Sequence, residues 1–340
     1  MTPLLELRGV DSRYTVRRGL RAPVTVHAVN GVDLTIQPGE TVGLVGESGC
    51  GKSTLSRTIL RLKEPTAGQI LFDGRPLPEM DEAAYRRQVQ MVFQDPYASL
   101  PRHMTAGRIV AEPMLIHRTV SDKATALRRA AELMRDVGLP AGTEEKLPGQ
   151  LSGGQRQRVG IARALALDPS LIVADEAVSA LDVSVQAQIL NLLAELQRKR
   201  RLALLFVSHD IDVVRFLCQR IAVMYLGRIV EVGPADAVHD HPLHPYTRVL
   251  MDAVPTISRR GRPRIEVHGD PPDPLDPPAG CAFHPRCPFA QEICRTERPT
   301  LTPRSGGGSA ACHFGPEELA SMEERQRAGS ASTDTLGRVR

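Results

Sequence analysis

Gly46-Glu47-Ser48-Gly49-Cys50-Gly51-Lys52-Ser53-Thr54 constrains this 340-residue chain more than any other stretch. It fits the pattern G-x-x-x-x-G-K-[ST], which binds phosphate when a strand leads in and a helix leads out. Both neighbours are legible. Thr41-Val42-Gly43-Leu44-Val45 reads as a buried strand, and Leu55 to Leu62 carries apolar residues at helical spacing. Gly46, Gly49 and Gly51 let the backbone turn several N–H groups onto one anion, at the positive end of the following helix. Lys52 is then placed to reach the β- and γ-phosphates of a nucleotide, and Ser53 to give its hydroxyl to Mg²⁺.

Composition narrows the class. The length suggests about two domains. Hydrophobic residues make up 41% and charged residues 24% of the chain, ordinary values for a soluble protein. No apolar run approaches the roughly 18 residues of a membrane-spanning helix. Met1-Thr2-Pro3-Leu4-Leu5-Glu6 lacks the cationic and apolar regions of a secretion signal, so the chain is expected to stay in the cytosol. A net charge of +4 argues neither for a nucleic-acid partner nor for direct membrane adsorption. In that compartment six cysteines read as thiols or metal ligands rather than disulfides.

In chain order, Leu4 to Leu7 and Val32-Asp33-Leu34-Thr35-Ile36 alternate as half-buried strands do. Gln69 to Phe72 ends in the turn Asp73-Gly74, so antiparallel strands are expected around the loop. Val89 to Phe93 is a further strand, ending at Gln94. A helical insertion of about 95–166 follows; Ala124 to Val137 repeats apolar residues every three or four positions and stops at Gly138 and Pro140. Leu171-Ile172-Val173-Ala174 then reads as a parallel strand buried on both faces. Val185, Ile189, Leu192, Leu193 and Leu196 form one helix face, and Leu202 to Val207 another strand. Near Gly233-Pro234 the alternation stops. The expected division is an α/β nucleotide-binding domain over 1–235, an extension with four cysteines over 236–315, and a disordered polar tail over 316–340. Pro271 to Pro278 is Pro-rich, and Arg259-Arg260-Gly261-Arg262 reads as a solvated linker.

Asp175-Glu176 closes the wholly apolar strand. An acid there can hold the Mg²⁺ that bridges two phosphates. Glu176, one residue on, is expected on the other side of the strand, where it could take a proton from the attacking water. His209, after Leu204-Leu205-Phe206-Val207-Ser208, stands where it could hydrogen-bond the γ-phosphate. Between the two phosphate motifs lies Leu151-Ser152-Gly153-Gly154-Gln155, with Ser152 as N-cap and two glycines leaving a helix start open to an anion. One chain thus offers two phosphate-seeking helix ends. With that set, the chain resembles the nucleotide-binding subunit of an ABC transporter, whose signature is Leu-Ser-Gly-Gly-Gln. The likeness runs from about residue 4 to 235. It implies an α/β fold: a P-loop NTPase (RecA-like) core with an antiparallel β subdomain and an inserted α-helical subdomain. It also implies ATP and Mg²⁺ as cofactors, and two subunits stacked head to tail so that Ser152, Gly153, Gly154 and Gln155 of one close over ATP on the other. Tyr14 is implied to stack on adenine, Gln94 to link Mg²⁺ and water to the transporter contact, and Asp182 to communicate across the dimer.

Phe93-Gln94-Asp95-Pro96-Tyr97-Ala98-Ser99-Leu100, Tyr225-Leu226-Gly227-Arg228-Ile229-Val230-Glu231, His244-Pro245-Tyr246-Thr247, Gly280-Cys281-Ala282-Phe283 and Arg286-Cys287-Pro288 resemble the ATPases of oligopeptide and dipeptide importers, the second (F-type) subunit in particular. Three positions depart from that pattern. Pro101-Arg102-His103 stands for Asn-Pro-Arg, Gly149 for a frequent histidine, and Ala177 for the proline after the catalytic glutamate. Gaps of five, six and seventeen residues separate Cys281, Cys287, Cys294 and Cys312, and by spacing alone these read as free thiols. The resemblance adds a [4Fe-4S] cluster as a candidate, beside zinc or no metal.

The expected function is ATP hydrolysis powering uptake of di- or oligopeptides, with nickel complexes, glutathione and oligosaccharides open as cargo. Expected partners are two integral membrane permease subunits, a paralogous ATPase (or a second copy) and an extracellular solute-binding protein. The expected place is the cytoplasmic face of the cell membrane. The rival reading is a soluble ABC ATPase acting on nucleic acid or ribosomes. Such proteins usually carry long coiled-coil insertions or two ATPase halves, and neither appears here.

Overall fold

The computed structural model describes residues 2–16, 23–252, 269–270, 272–305 and 307–325. Among them run β1 (Leu5–Val16), β2 (Val24–Ile36), β3 (Thr41–Val45), β4 (Ala67–Phe72), β5 (Arg75–Pro76), β6 (Val89–Val92), β7 (Leu171–Asp175), β8 (Ala203–Ser208), β9 (Arg220–Tyr225), β10 (Arg228–Pro234), β11 (Thr302–Arg304) and β12 (Gly308–Ala310). They form two sheets, one ordered β2-β1-β4-β5 and the other β11-β12-β10-β9-β3-β8-β7-β6.

The first sheet is antiparallel, with β1 pairing β2 and β4. Its alternation is the one legible in the sequence: Val32, Leu34 and Ile36 are buried, Asp33 is exposed and Thr35 lies between. The middle of the second sheet is parallel: β3 lies between β8 and β9, β7 beside β8, and β6 beside β7. Every residue of β3, β7 and β8 is buried, because both faces of these strands are covered. Leu171, Val173, Leu205 and Val207 meet Leu5, Leu7 and Ile36 of the first sheet, with Leu55 and Ile59 between. The helix Lys52–Ile59 is therefore wedged between the sheets. Ile172, Ala174, Leu204 and Phe206 face the opposite way, into the core of the inserted helices Ala106–Ile116, Lys123–Asp136 and Gly153–Leu165 and of the helix Val183–Arg200.

Register decides where the chemistry meets. Val45 lies opposite Ser208, Val207 opposite Asp175, and Ala174 opposite Val92. The parallel strands β3, β8, β7 and β6 therefore finish along one edge, where α/β sheets bind ligands.

At the C-terminal end the extension joins the second sheet: Glu231 pairs with Ala310, and β11 and β12 lengthen the sheet beyond β10. Strands of three residues are too short to show a period. The polar tail is helical over residues 316–325 rather than disordered from 316. One apolar side chain anchors it: Leu319 is fully buried, and Glu323 pairs with Arg248 at 3.5 Å. The arginine cluster at 259–262, Pro271 and the tail from 326 lie outside the described residues. Among the described residues no helix is long and apolar enough to cross a membrane.

Candidate active site

The turn from β3 into the helix Lys52–Ile59 accepts only glycine at its tightest points. Gly51, the N-cap, has φ of 111°, and a Cβ there would lie 2.1 Å from the carbonyl oxygen of Ala28. At Gly46 a Cβ would meet the Met224 carbonyl oxygen at 2.2 Å. Lys52 is buried and donates from Nζ to the carbonyl oxygens of Gly46 (2.7 Å) and Glu47 (3.0 Å). Cys50 packs beneath, its sulfur 3.8 Å from Lys52 Nζ, and burial pushes its thiol up. Ser48, Gly49 and Ser53 are exposed, and Thr54 is half-buried.

Ser53 Oγ faces Asp175 Oδ1 at 3.5 Å, so the end of β7 lies against the loop that follows β3. Burial raises the Asp175 carboxyl, the Ser53 hydroxyl opposes that rise, and the neighbouring Glu176 charge adds to it. Glu176 itself has φ of 47°, in the left-handed region that a residue with a side chain seldom adopts. Its N–H donates to Val207 O at 2.9 Å. Strand alternation, the basis of the sequence expectation, does not place Glu176, because β7 ends at Asp175; the left-handed turn does. There its Oε2 accepts a hydrogen bond from Gln94 Nε2 at 2.7 Å, and His209 Nδ1 lies 3.6 Å from Oε1. Glu176 is one-fifth exposed and His209 59% exposed, so the pair opens to solvent. Ala177, at the departing position, is buried just behind.

The Leu151–Gln155 segment opens the helix Gly153–Leu165. Ser152 Oγ accepts the Gln155 N–H at 3.3 Å and Gln155 Oε1 accepts the Ser152 N–H at 3.0 Å, a reciprocal cap for the helix Gly153–Leu165. At Gly154 a Cβ would come within 2.6 Å of Val185 Cγ1. Asp182 is exposed at the start of the helix Val183–Arg200 and makes no capping bond with its side chain. Among the described residues no hydrogen bond or ion pair joins Ser152–Gln155 to the phosphate loop of the same chain. Tyr14 lies on β1, with Lys63 Nζ 3.0 Å from the centre of its ring. Nothing described connects it to the loop.

Sequence and structure comparisons bear on this edge. Residues 29–179 match the model of the ABC transporter family, and residues 230–294 that of the oligopeptide/dipeptide transporter C-terminal region. The probable peptide ABC transporter ATP-binding protein y4tS of Sinorhizobium fredii is 50% identical, covering 94% of this chain and 94% of its own. The oligopeptide transport ATP-binding protein AppF of Bacillus subtilis is 46% identical, covering 92% of this chain and 97% of its own. The chain belongs to the ABC transporter ATP-binding subunits, in their oligopeptide/dipeptide branch. The solved dimer of the ATP-binding cassette MJ0796 bound to ADP and Pi has the same fold, with a TM-score of 0.60 and 33% identity over 68% of this chain and 98% of that one. This ABC subunit is thus an ATPase built on the P-loop NTPase fold expected from its sequence. The nucleic-acid reading finds no support in its relatives.

Sequence reasoning passed over one feature of the ABC subunit's site. Glu47, inside the phosphate loop, is held by two residues of the C-terminal part. Its N–H donates to the Tyr246 hydroxyl at 2.8 Å, and Arg286 donates to both carboxylate oxygens, at 2.9 and 3.2 Å. Burial by itself would lower the Arg286 pKa; the hydrogen bonds and charge of Glu47 and Tyr225 outweigh it and raise it. Tyr225, Tyr246 and Phe283 pack around this contact in tilted and edge-to-face pairs, with ring centres 4.5 to 5.5 Å apart. No spacing rule links positions 199 and 239 residues apart. Tyr246 and Arg286 each lie in a stretch that resembles the oligopeptide importer ATPases, and nothing in the sequence joins the two stretches to Glu47.

Cys281, Cys287, Cys294 and Cys312 line one cavity of about 10 Å³ with His284 and His313. Burial raises the thiols of Cys281 to about 11 and Cys287 to about 12, and raises that of Cys312. Among the described residues no group of three or more His, Cys, Asp or Glu is gathered so as to hold a metal ion.

Proposed function

We propose that this ATPase drives a membrane importer for peptides, as the names of its relatives describe for theirs. One observation carries the chemistry. Asp175, Glu176, Gln94 and His209 converge beside the phosphate loop, while Ser152 and Gln155 bond to each other. In this reading Gly46, Glu47, Ser48, Gly49, Cys50, Gly51, Lys52, Ser53 and Thr54 hold the triphosphate of ATP. Ser53, Asp175 and Gln94 would hold Mg²⁺, which neutralises charge between the β- and γ-phosphates. Glu176, oriented by Gln94, takes the proton of the attacking water, and His209 hydrogen-bonds the γ-phosphate. Tyr14 stacks on the adenine.

Among the described residues no hydrogen bond or ion pair joins the helix start at Ser152–Gln155 to the phosphate loop of its own chain, which supports a second ATPase subunit, a paralogue or another copy, supplying the loop it closes on, with Asp182 at the contact. Two integral permease subunits and an extracellular solute-binding protein complete the importer, and the chain sits peripherally on the cytoplasmic face of the membrane. Uptake of labelled dipeptides in cells lacking this subunit, with and without its return, tests the cargo. Restored uptake supports peptide import; unchanged uptake, with ATP hydrolysis intact in the purified complex, assigns another solute.

An iron–sulfur cluster on the four cysteines is a separate proposal. Its support is that four sulfurs spread from 281 to 312 reach one cavity; ligation requires that cavity to open and the thiols to lose their protons. Absorbance near 400 nm with acid-labile sulfide after anaerobic purification would establish it, and colourless, iron-free protein would reject it.

A further inference from the structure

We infer that Arg286 and Tyr246 are positioning residues for ATP binding, acting through Glu47. The inference rests on the assignment of Gly46–Thr54 as the ATP loop. Glu47 is gripped at every polar group it owns. Its N–H goes to the Tyr246 hydroxyl, its carboxylate to both terminal nitrogens of Arg286, and its carbonyl oxygen accepts from Lys52 Nζ at 3.0 Å and from the Cys50 N–H at 3.3 Å. One of the two carbonyl acceptors of the phosphate-seeking lysine, beside that of Gly46 at 2.7 Å, thus belongs to a residue held from outside the nucleotide-binding segment.

Charge adds a second reason. A free carboxylate at position 47 would stand beside a triphosphate of the same sign, and the Arg286 fork neutralises it. The holding groups are themselves packed into the protein. Tyr246 is fully buried, and Arg286 ends the short turn His284–Arg286 that leads into Cys287. The Arg286 side chain is 10% exposed and that of Glu47 28%, so water screens the pair less than it would an ion pair at the open surface. The extension is therefore wired to the loop by two side chains, one fixing its backbone and one its charge.

The test uses the full-length subunit and measures both the equilibrium Kd for Mg-ATP and kcat. Arg286→Ala should weaken ATP about ten-fold, the scale of a lost hydrogen bond to a charged group, with kcat within about two-fold. Tyr246→Phe should weaken it about three-fold, the scale of a neutral hydrogen bond. Adding Glu47→Gln to Arg286→Ala should recover most of the loss, because the unpaired charge is gone. Should Arg286→Ala fail to fold, Arg286→Lys, which keeps the charge but not the fork, and Tyr246→Phe carry the same measurement.

A purely structural role would lower Tm and leave Kd unmoved. Wild-type Kd in the folded Arg286 and Tyr246 variants, or a double variant no tighter than Arg286→Ala, overturns the inference. If wild-type protein and Lys52→Ala held ATP equally, the assignment of the loop itself would fall instead.

Discussion

Gln94 and Glu176 meet at 2.7 Å although 82 residues separate them. Gln94 follows β6 and Glu176 follows β7, and these are adjacent parallel strands in register, so both chain ends arrive at the same edge. The left-handed backbone of Glu176 completes the meeting. A residue held in that region at the proposed reaction centre suggests that orientation of its carboxylate is maintained against local preference.

Glu176→Gln should lower steady-state hydrolysis by about 10² to 10⁴, the usual scale for loss of a general base. The amide oxygen can still accept from Gln94, so ATP binding should persist. Phosphate release and nucleotide binding, measured on the same preparation, check this; a variant that hydrolyses normally removes Glu176 from the mechanism.

Gly51→Ala places a methyl group against the Ala28 carbonyl and forces a side chain to adopt φ of 111°. Strain of this kind costs about 1 to 3 kcal/mol. A lower Tm together with loss of ATP binding is expected; wild-type values for both would show that the turn relaxes.

Gly154→Val should separate binding from hydrolysis. Its side chain would press on Val185, whose Cγ1 is 2.6 Å from the Cβ position, and tilt the helix start that the second subunit's nucleotide meets. A misplacement near 1 Å can cost about 10² in rate. Hydrolysis should fall on that scale while the Kd for ATP on the chain's own loop stays put.

Asp122 caps the helix Lys123–Asp136 by accepting the Thr125 N–H at 2.9 Å. That bond, with the Ser121 and Thr125 hydroxyls, lowers its carboxyl from 3.8 to about 2. A depressed acid stabilises the fold above its unfolded value, and the benefit is lost as pH falls through the folded one. Asp122→Ala should therefore lower Tm at pH 7, by an amount that shrinks between pH 4 and about pH 2. Melts across that range decide it; a pH-independent difference would exclude the charge.

Local features of the site were legible because local physics dictates them. The glycines, Lys52 and Ser53 at fixed offsets need only a strand and a helix to acquire their geometry, and Ser152 with Gln155 forms its cap within four residues. Asp175 was legible as the end of an apolar strand. Glu176 is legible by its identity but not by its orientation, because the strand whose alternation would predict it ends at Asp175. The short strands β11 and β12 and the helix at 316–325 left no period to read, since each rests on partners far away in the chain.

Residue order by itself determined the α/β class, the phosphate loop and the family, because these depend on periodicity and short spacings that survive without knowledge of the fold. Tertiary structure alone decided which side chains touch. The parallel register of β3, β8, β7 and β6 brings Gln94, Asp175, Glu176 and His209 to one edge, and packing of the extension sets Arg286 and Tyr246 on Glu47. Contacts closed over 80 to 240 residues carry no periodic trace in the sequence, because their geometry comes from sheet pairing and core packing rather than from neighbours along the chain.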